Sequence, residues 1–181
     1  MLVKKVLAEC LVKLGETDFT EETEYTDAQS ALLDELLHAL NFAYRDAVTE
    51  YIPLFKEEEV DVKKGVIFTG ELSEKIIYPV SLVAEGCKRR VRIYPDGLVA
   101  DFDGKAVLRY AYLPAELTLA SEIADMRLTP AVLADGTLAE YYFANKLFDL
   151  AQSHDNDFRS ALSLLRYKGR DMRLKVGRWR A

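Results

Sequence analysis

Apolar residues in this chain change period twice, and that change limits what it can fold into. Leu2, Val3, Val6, Leu7, Cys10, Leu11 and Leu14 recur at three-and-four spacing, which predicts a helix over 2–14 that Gly15 stops. Thr26-Asp27-Ala28-Gln29 has the form of a capping box, so a second, long helix is expected from residue 27. Its apolar face is Leu32, Leu33, Leu36, Leu37, Leu40, Ala43, Tyr44 and Ala47, and Pro53 sets its latest end, giving 27–51. The period then falls to two. Residues 60–69, 75–84, 87–94, 98–101 and 106–112 are rich in β-branched and aromatic side chains, with turn signals at Pro95-Asp96-Gly97 and Asp103-Gly104.

Helical spacing returns at Thr129-Pro130, an N-cap followed by proline at the first helical position. Val132, Gly136, Ala139, Phe143, Leu147 and Leu150 form one stripe and predict a helix over 130–151. Gly136 within it marks either a close approach by another segment or a break. Asp155 to Asp157 are read as the cap of a last helix over 156–167, with Phe158, Ala161, Leu162 and Leu165 on its face. Helices, then strands, then helices is an α+β order, not an alternating βαβ one. The expected architecture is a helical bundle of long helices with a small inserted antiparallel β-sheet of about four or five strands over 60–112 and an extended C-terminal arm.

At 181 residues, half of them hydrophobic, the chain suits one α+β domain, taken as 1–167, with the arm as 168–181. The net charge of −6 argues on average against a dedicated nucleic-acid binder. The average hides an asymmetry. From Arg166 onward there are seven bases and one acid, or +6, leaving 17 bases and 29 acids, or −12, in residues 1–165. An acidic body with a basic end is a pattern of interaction tails, and also of solvated chain ends. Residues 16–27 hold six acids and no base and read as a linker or loop. Two cysteines, Cys10 and Cys87, make no multi-bridge framework, so a reduced setting is the default. No apolar run approaches the ~20 residues that span a bilayer, and Glu9 spoils the superficial likeness of the start to a lipoprotein signal.

Two basic stretches are candidate contact sites. In the arm, Met172, Leu174 and Val176 alternate with Arg173 and Lys175, the pattern of an amphipathic strand; Arg170, Arg178 and Trp179 flank it. Such a strand suits addition to a sheet edge, its own or a neighbour's. In Lys88-Arg89-Arg90-Val91-Arg92-Ile93-Tyr94, strand alternation puts Lys88, Arg90, Arg92 and Tyr94 on one face. That stripe could follow phosphates, pair with acids of another subunit or simply face solvent.

Nothing in the sequence singles out a catalytic site, a metal or a cofactor. Gly65 to Gly70 has the glycine spacing of a phosphate loop, but Glu71 stands where the lysine is needed. His38 and His154 have no ligand-spaced partners, and Asp101-Phe102-Asp103-Gly104 lacks the later acids of a calcium loop. Glu57-Glu58-Glu59 is read as a solvated link before the first strand. The chain is therefore expected not to be an enzyme.

As a whole the segment order resembles the head–tail connector (adaptor, or head-completion) proteins of tailed bacteriophages and prophages. The residues that carry the likeness are Leu40-Asn41-Phe42-Ala43-Tyr44-Arg45-Asp46-Ala47 with Tyr51-Ile52-Pro53-Leu54, then Tyr110-Ala111-Tyr112-Leu113-Pro114-Ala115-Glu116-Leu117-Thr118. A third stretch runs from Leu133-Ala134-Asp135-Gly136-Thr137-Leu138-Ala139-Glu140-Tyr141-Tyr142 to Phe158-Arg159-Ser160-Ala161-Leu162. The likeness covers roughly residues 27–181 as a pattern of spacing and residue class. It implies a virion structural protein that forms a homo-oligomeric ring under the portal, continues the DNA channel and receives tail components. It implies a location in the virion, and in the host cytoplasm during assembly, with no membrane and only transient, non-specific contact with packaged DNA. It also implies a portal- or subunit-contact arm at Arg170 to Trp179. The alternative is a nucleic-acid-binding module using the basic tail and the stripe at 88–92.

Overall fold

The computed structural model describes residues 1–16, 26–95, 97–123, 125 and 127–168. The arm residues Arg170 to Trp179 and most of the acidic segment lie outside them. Helix α1 (Val3–Leu14) buries Val3, Val6, Leu7, Cys10 and Leu11, and Gly15 at φ 81° closes it with its N–H on the carbonyls of Leu11 and Val12. Helix α2 (Asp27–Asp46) starts at the expected capping box: the Gln29 N–H donates to Thr26 Oγ1 at 3.3 Å and the Thr26 N–H to Gln29 Oε1 at 2.9 Å. It ends sooner than expected, at Asp46, and the chain continues as a π turn over Ala47–Tyr51.

Among the described residues seven strands follow in two antiparallel sheets, where one sheet of four or five was expected. They are β1 (Leu54–Val62), β2 (Val66–Ile67), β3 (Lys75–Ala84), β4 (Cys87–Arg89), β5 (Val91–Tyr94), β6 (Gly97–Ala100) and β7 (Gly104–Leu113), ordered β1-β7-β3-β4 in one sheet and β2-β6-β5 in the other. Glu57, Glu58 and Glu59 are not a link but the middle of β1, paired with Arg109, Leu108 and Val107. An edge strand tolerates such a run because its outer side and the face that carries Glu57 and Glu59 are open to water, while Glu58, on the half-buried face, accepts from the Ser73 N–H at 3.2 Å. The expected strand over 60–69 is interrupted after Val62, where Lys63 and Val66 close a tight turn.

Helix α3 (Pro130–Ala144) is capped by Thr129, whose Oγ1 accepts from the Val132 N–H at 3.4 Å. The expected helix to 151 stops at Asn145, whose side chain donates to the Tyr141 carbonyl at 2.9 Å. Lys146 then turns the chain at φ 62°. Helix α4 (Phe148–Lys168) takes up the rest, so Asp155 to Asp157 are helix interior and not a cap. Asp155 is held there by Arg159 one turn on, its two carboxylate oxygens each 2.9 Å from Nε. Gly136 does not break α3: it admits the Phe158 ring of α4.

The fold is thus mixed α+β, with four α-helices and two antiparallel sheets among the described residues. One core joins the helices through residues such as Leu36, Leu40, Leu133, Leu138 and Leu162, and a second lies in the sheets around Leu82, Leu98, Leu108 and Tyr110. Each Leu buried in this way contributes about 1.5–3 kcal/mol relative to exposure. Buried Ile52 and half-buried Leu54, packed on the helical core, carry the chain from one layer to the other.

Candidate interaction surfaces

The basic stripe is divided. Lys88 sits in β4 opposite Val83, whereas Arg92 and Tyr94 sit in β5 opposite Val99 and Gly97; Arg90 spans the step between the two sheets. All four side chains are exposed, but they do not share one strand face. Arg89 lies 5.5 Å from the ring centre of Phe102, and Val91 turns inward onto the sheet core. A strand can leave one sheet for another by a bend alone, and no Gly or Pro at residue 90 signals it.

An unforeseen surface lies at the corner of α3 and α4. Phe143, in the last turn of α3, and Leu147 and Leu150, beyond the turn at Asn145 and Lys146, are three members of the expected helical stripe, and all three face solvent. With Phe42 of α2 and Phe148 of α4 they are 48–63% exposed. The rings of Phe143 and Phe148 meet edge to face at 5.7 Å. Phe42 and Phe143 line a depression of about 390 Å³ together with Glu35, His38 and Tyr141, and the His38 ring meets that of Phe42 at 5.0 Å. Clustered exposed aromatics on one side of a protein mark a contact surface.

Beside this patch, Arg159 gathers carboxylates. It reaches Asp155 and, at 3.9 Å, Asp46 at the end of α2. Burial, then repulsion from Asp155 and Asp46, pushes the Glu140 carboxyl above its ordinary range, and burial does the same to Asp46 against the pull of Arg159. Hydrogen bonding to Asp155 and Tyr51 raises the Arg159 guanidinium further. The ion pairs tie α4 to the end of α2, with Glu140 of α3 beside them.

A second tie crosses α1, α3 and α4. Asp135 accepts from Lys13 Nζ at 2.5 Å and from His154 Nδ1 at 2.9 Å, and the Tyr142 ring stacks on His154 at 5.6 Å. No sequence signal pairs His154 with an acid nineteen positions away. Nearby Cys10 is fully buried and its thiol is pushed up to about 12 by that burial, so it stays protonated and unreactive at neutral pH. Cys87 is exposed. In the glycine-spaced loop the Gly65 N–H is taken up by the chain's own Asp103 carboxylate, to which it donates at 2.6 Å. Among the described residues no group of three His, Cys, Asp or Glu is placed to hold a metal, and no helix is long and apolar enough to cross a membrane.

Comparison with models of known protein families and with curated proteins found no match.

Proposed function

We propose that the chain is a structural protein of a phage or prophage virion, a head–tail connector that assembles as a ring beneath the portal and continues the DNA channel. The observation that carries this reading is the exposed aromatic corner formed by Phe42, Phe143, Leu147, Phe148 and Leu150. A surface of that kind on a charged chain is suited to subunit or partner contact. The segment order supports it: in this reading α1 to α4 are the bundle, β1 to β7 the insert, and Arg170 to Trp179 the arm that meets the portal or a neighbouring subunit. The Asn41 to Leu117 tie supports it too, since it joins two of the three stretches that carry the resemblance. On this reading the protein is not an enzyme, and its partners are its own copies, the portal and tail components.

The test is co-assembly with the portal protein of the same virion. The intact chain is expected to bind and to form rings visible by electron microscopy, and a chain ending at Lys168 to lose that binding. No binding by the intact chain would sink the reading; undiminished binding by the truncated chain would sink the arm's part in it. Binding to DNA that falls steeply with salt, and no portal binding, would favour the nucleic-acid module instead. The acidic body and the divided stripe speak against that alternative.

A further inference from the structure

From the two grooves beside the end of α3 we infer that the aromatic corner receives a helix of another protein, one whose apolar face is flanked by lysines or arginines. Three helices each set one stripe of side chains here. Helix α2 contributes Glu35, His38 and Phe42, α3 contributes Glu140 and Phe143, and α4 contributes Phe148, Gln152 and Asp155. Within each stripe the residues are three or four apart, so they stand one above another on a single helix face. Glu140 and Phe143 line both grooves, one of about 390 Å³ between α2 and α3 and one of about 330 Å³ between α3 and α4. They form a ridge with a groove on each side, the relief onto which the side chains of a further helix pack.

The charge of the lining selects the occupant. Its acids are Glu35, Glu140 and Asp155, and its one base, Arg159, is already shared by Asp155 and Asp46. Neither Glu35 nor Glu140 forms an ion pair among the described residues. After burial, repulsion from Asp155 and Asp46 is what lifts the Glu140 carboxyl, so negative charge is in excess at that point. Along α2, Glu35 and Asp46 stand on either side of Phe42, seven and four residues away. An apolar centre bounded by acids is complementary to an apolar stripe with bases beside it. An acidic helix would set like charge against these carboxylates, and a plainly apolar one would take them out of water without a counter-charge.

The helices of a second copy do not have this character. The most basic of them, α1, carries Lys4, Lys5 and Lys13 but buries its apolar face in the helical core. Helices α2 and α3 carry more acids than bases, and α4 has as many of one as of the other. Residues 16–27, which join α1 to α2, hold six acids and no base, the wrong sign for this lining. The inference deepens the connector reading and rests on it for one point, that the aromatic corner is where a partner is met.

The probe is a fluorescein-labelled synthetic helix of about fourteen residues, or ~21 Å, with leucines at three-and-four spacing and lysines elsewhere. It is titrated with the full chain at about 0.15 M salt, and binding is read by fluorescence anisotropy. One control peptide has glutamates for the lysines, the other serines for the leucines. The lysine–leucine peptide is expected to bind at least about tenfold more tightly than either control. Phe143→Ser, and separately Glu35→Lys with Glu140→Lys, should each weaken it about tenfold. Glu57→Lys with Glu59→Lys, in β1, should leave it unchanged, which separates the corner from the acidity of the whole chain. All variants change exposed side chains and are checked for the native circular dichroism spectrum. No binding, equal binding of the three peptides, or an equal loss through β1 and through the corner would each overturn the inference. So would binding seen only once Arg173→Glu and Lys175→Glu have reversed the charge of the chain's own end, since that end would then be the occupant. Portal co-assembly is a separate readout: a chain that joins the portal but binds no peptide overturns the inference and leaves the connector reading standing, and one that binds the peptide but no portal does the reverse.

Discussion

Gly136 of α3 lies so close to Phe158 of α4 that a Cβ at 136 would stand 2.8 Å from the edge of the ring. Phe158 is buried, and its ring is the end of no flexible chain. Gly136→Ala therefore sets a helix-propensity gain of about 1 kcal/mol against an overpacking cost of about 1–3 kcal/mol. A net loss of stability is expected by urea denaturation. Phe158→Leu in the same chain should return part of it; a more stable Gly136→Ala would show that the helices separate freely.

Asn41 holds the segment after β7 against α2. Its Oδ1 accepts from the Leu117 N–H at 2.7 Å while its amide donates to the carbonyls of Leu117 and Leu37 at 3.1 and 3.0 Å. Asn41→Ala leaves half-buried backbone groups without partners and should cost about 1–3 kcal/mol. Hydrogen exchange at the Leu117 amide should quicken with it. Unchanged exchange would mean that this amide is held by something else.

Lys146 adopts φ 62° at the turn between α3 and α4, a conformation that costs a side chain about 1–2 kcal/mol. Lys146→Gly should raise stability by about 0.5–1 kcal/mol after the entropy of glycine in the unfolded chain is set against it. A thermal melt checks this, and a drop in Tm would argue that Lys146 makes a needed contact.

High pH should unfold the protein through two buried groups. Burial pushes the Cys10 thiol from 9.0 up to about 12 and the Tyr44 hydroxyl from 10.0 up to about 12. Between those values the unfolded chain loses a proton that the folded chain keeps. The stability these groups allow is complete below pH 9 and falls as pH rises towards 12, by about 1.4 kcal/mol per unit for each group. Cys10→Ala should remove the part that begins near pH 9 in urea midpoints measured from pH 8 to 10. At pH 8 a thiol reagent should modify Cys87 in the folded protein and Cys10 only after unfolding.

The aromatic corner contributes little to the fold of the isolated chain. Phe143→Ser with Phe148→Ser should change the stability of the monomer by less than about 1 kcal/mol and reduce the binding of a hydrophobic dye. Portal or self-association should weaken in the same variant. A large loss of stability would mean that these rings belong to the core.

Local chemistry made the starts of α2 and α3 and the stop of α1 legible, but not the start of α4. Thr26 with Gln29, Thr129 before Pro130 and Gly15 each act within a few residues, so the sequence alone indicates them. What escaped depends on distant neighbours or on solvent. Three consecutive glutamates have no visible period, yet β1 accommodates them because β7 supplies its hydrogen bonds from one side only. Phe143, Leu147 and Leu150 keep helical spacing but face solvent, and the turn that parts Leu147 and Leu150 from α3 rests on Asn145 and a strained Lys146, neither a strong breaker. Asp135 and His154 meet only because α3 and α4 fold back on each other. The basic run at 88–92 was legible as exposed charge, but not its division between sheets at Arg90.

The π turn at Ala47–Tyr51 fixes the rotational phase between the helical layer and the sheets. Its bonds close over one residue more than an α-turn, as the Ile52 N–H donating to the Ala47 carbonyl at 2.8 Å shows. The extra residue is taken up inside the turn, so a chain one residue shorter here would close as a regular α-turn and leave Ile52 and β1 close to their present phase. A loss of two residues would turn everything after the stretch by about 100° and take Ile52 out of the helical core. This stretch is thus a point where a change of one residue in chain length can be absorbed and a change of two cannot.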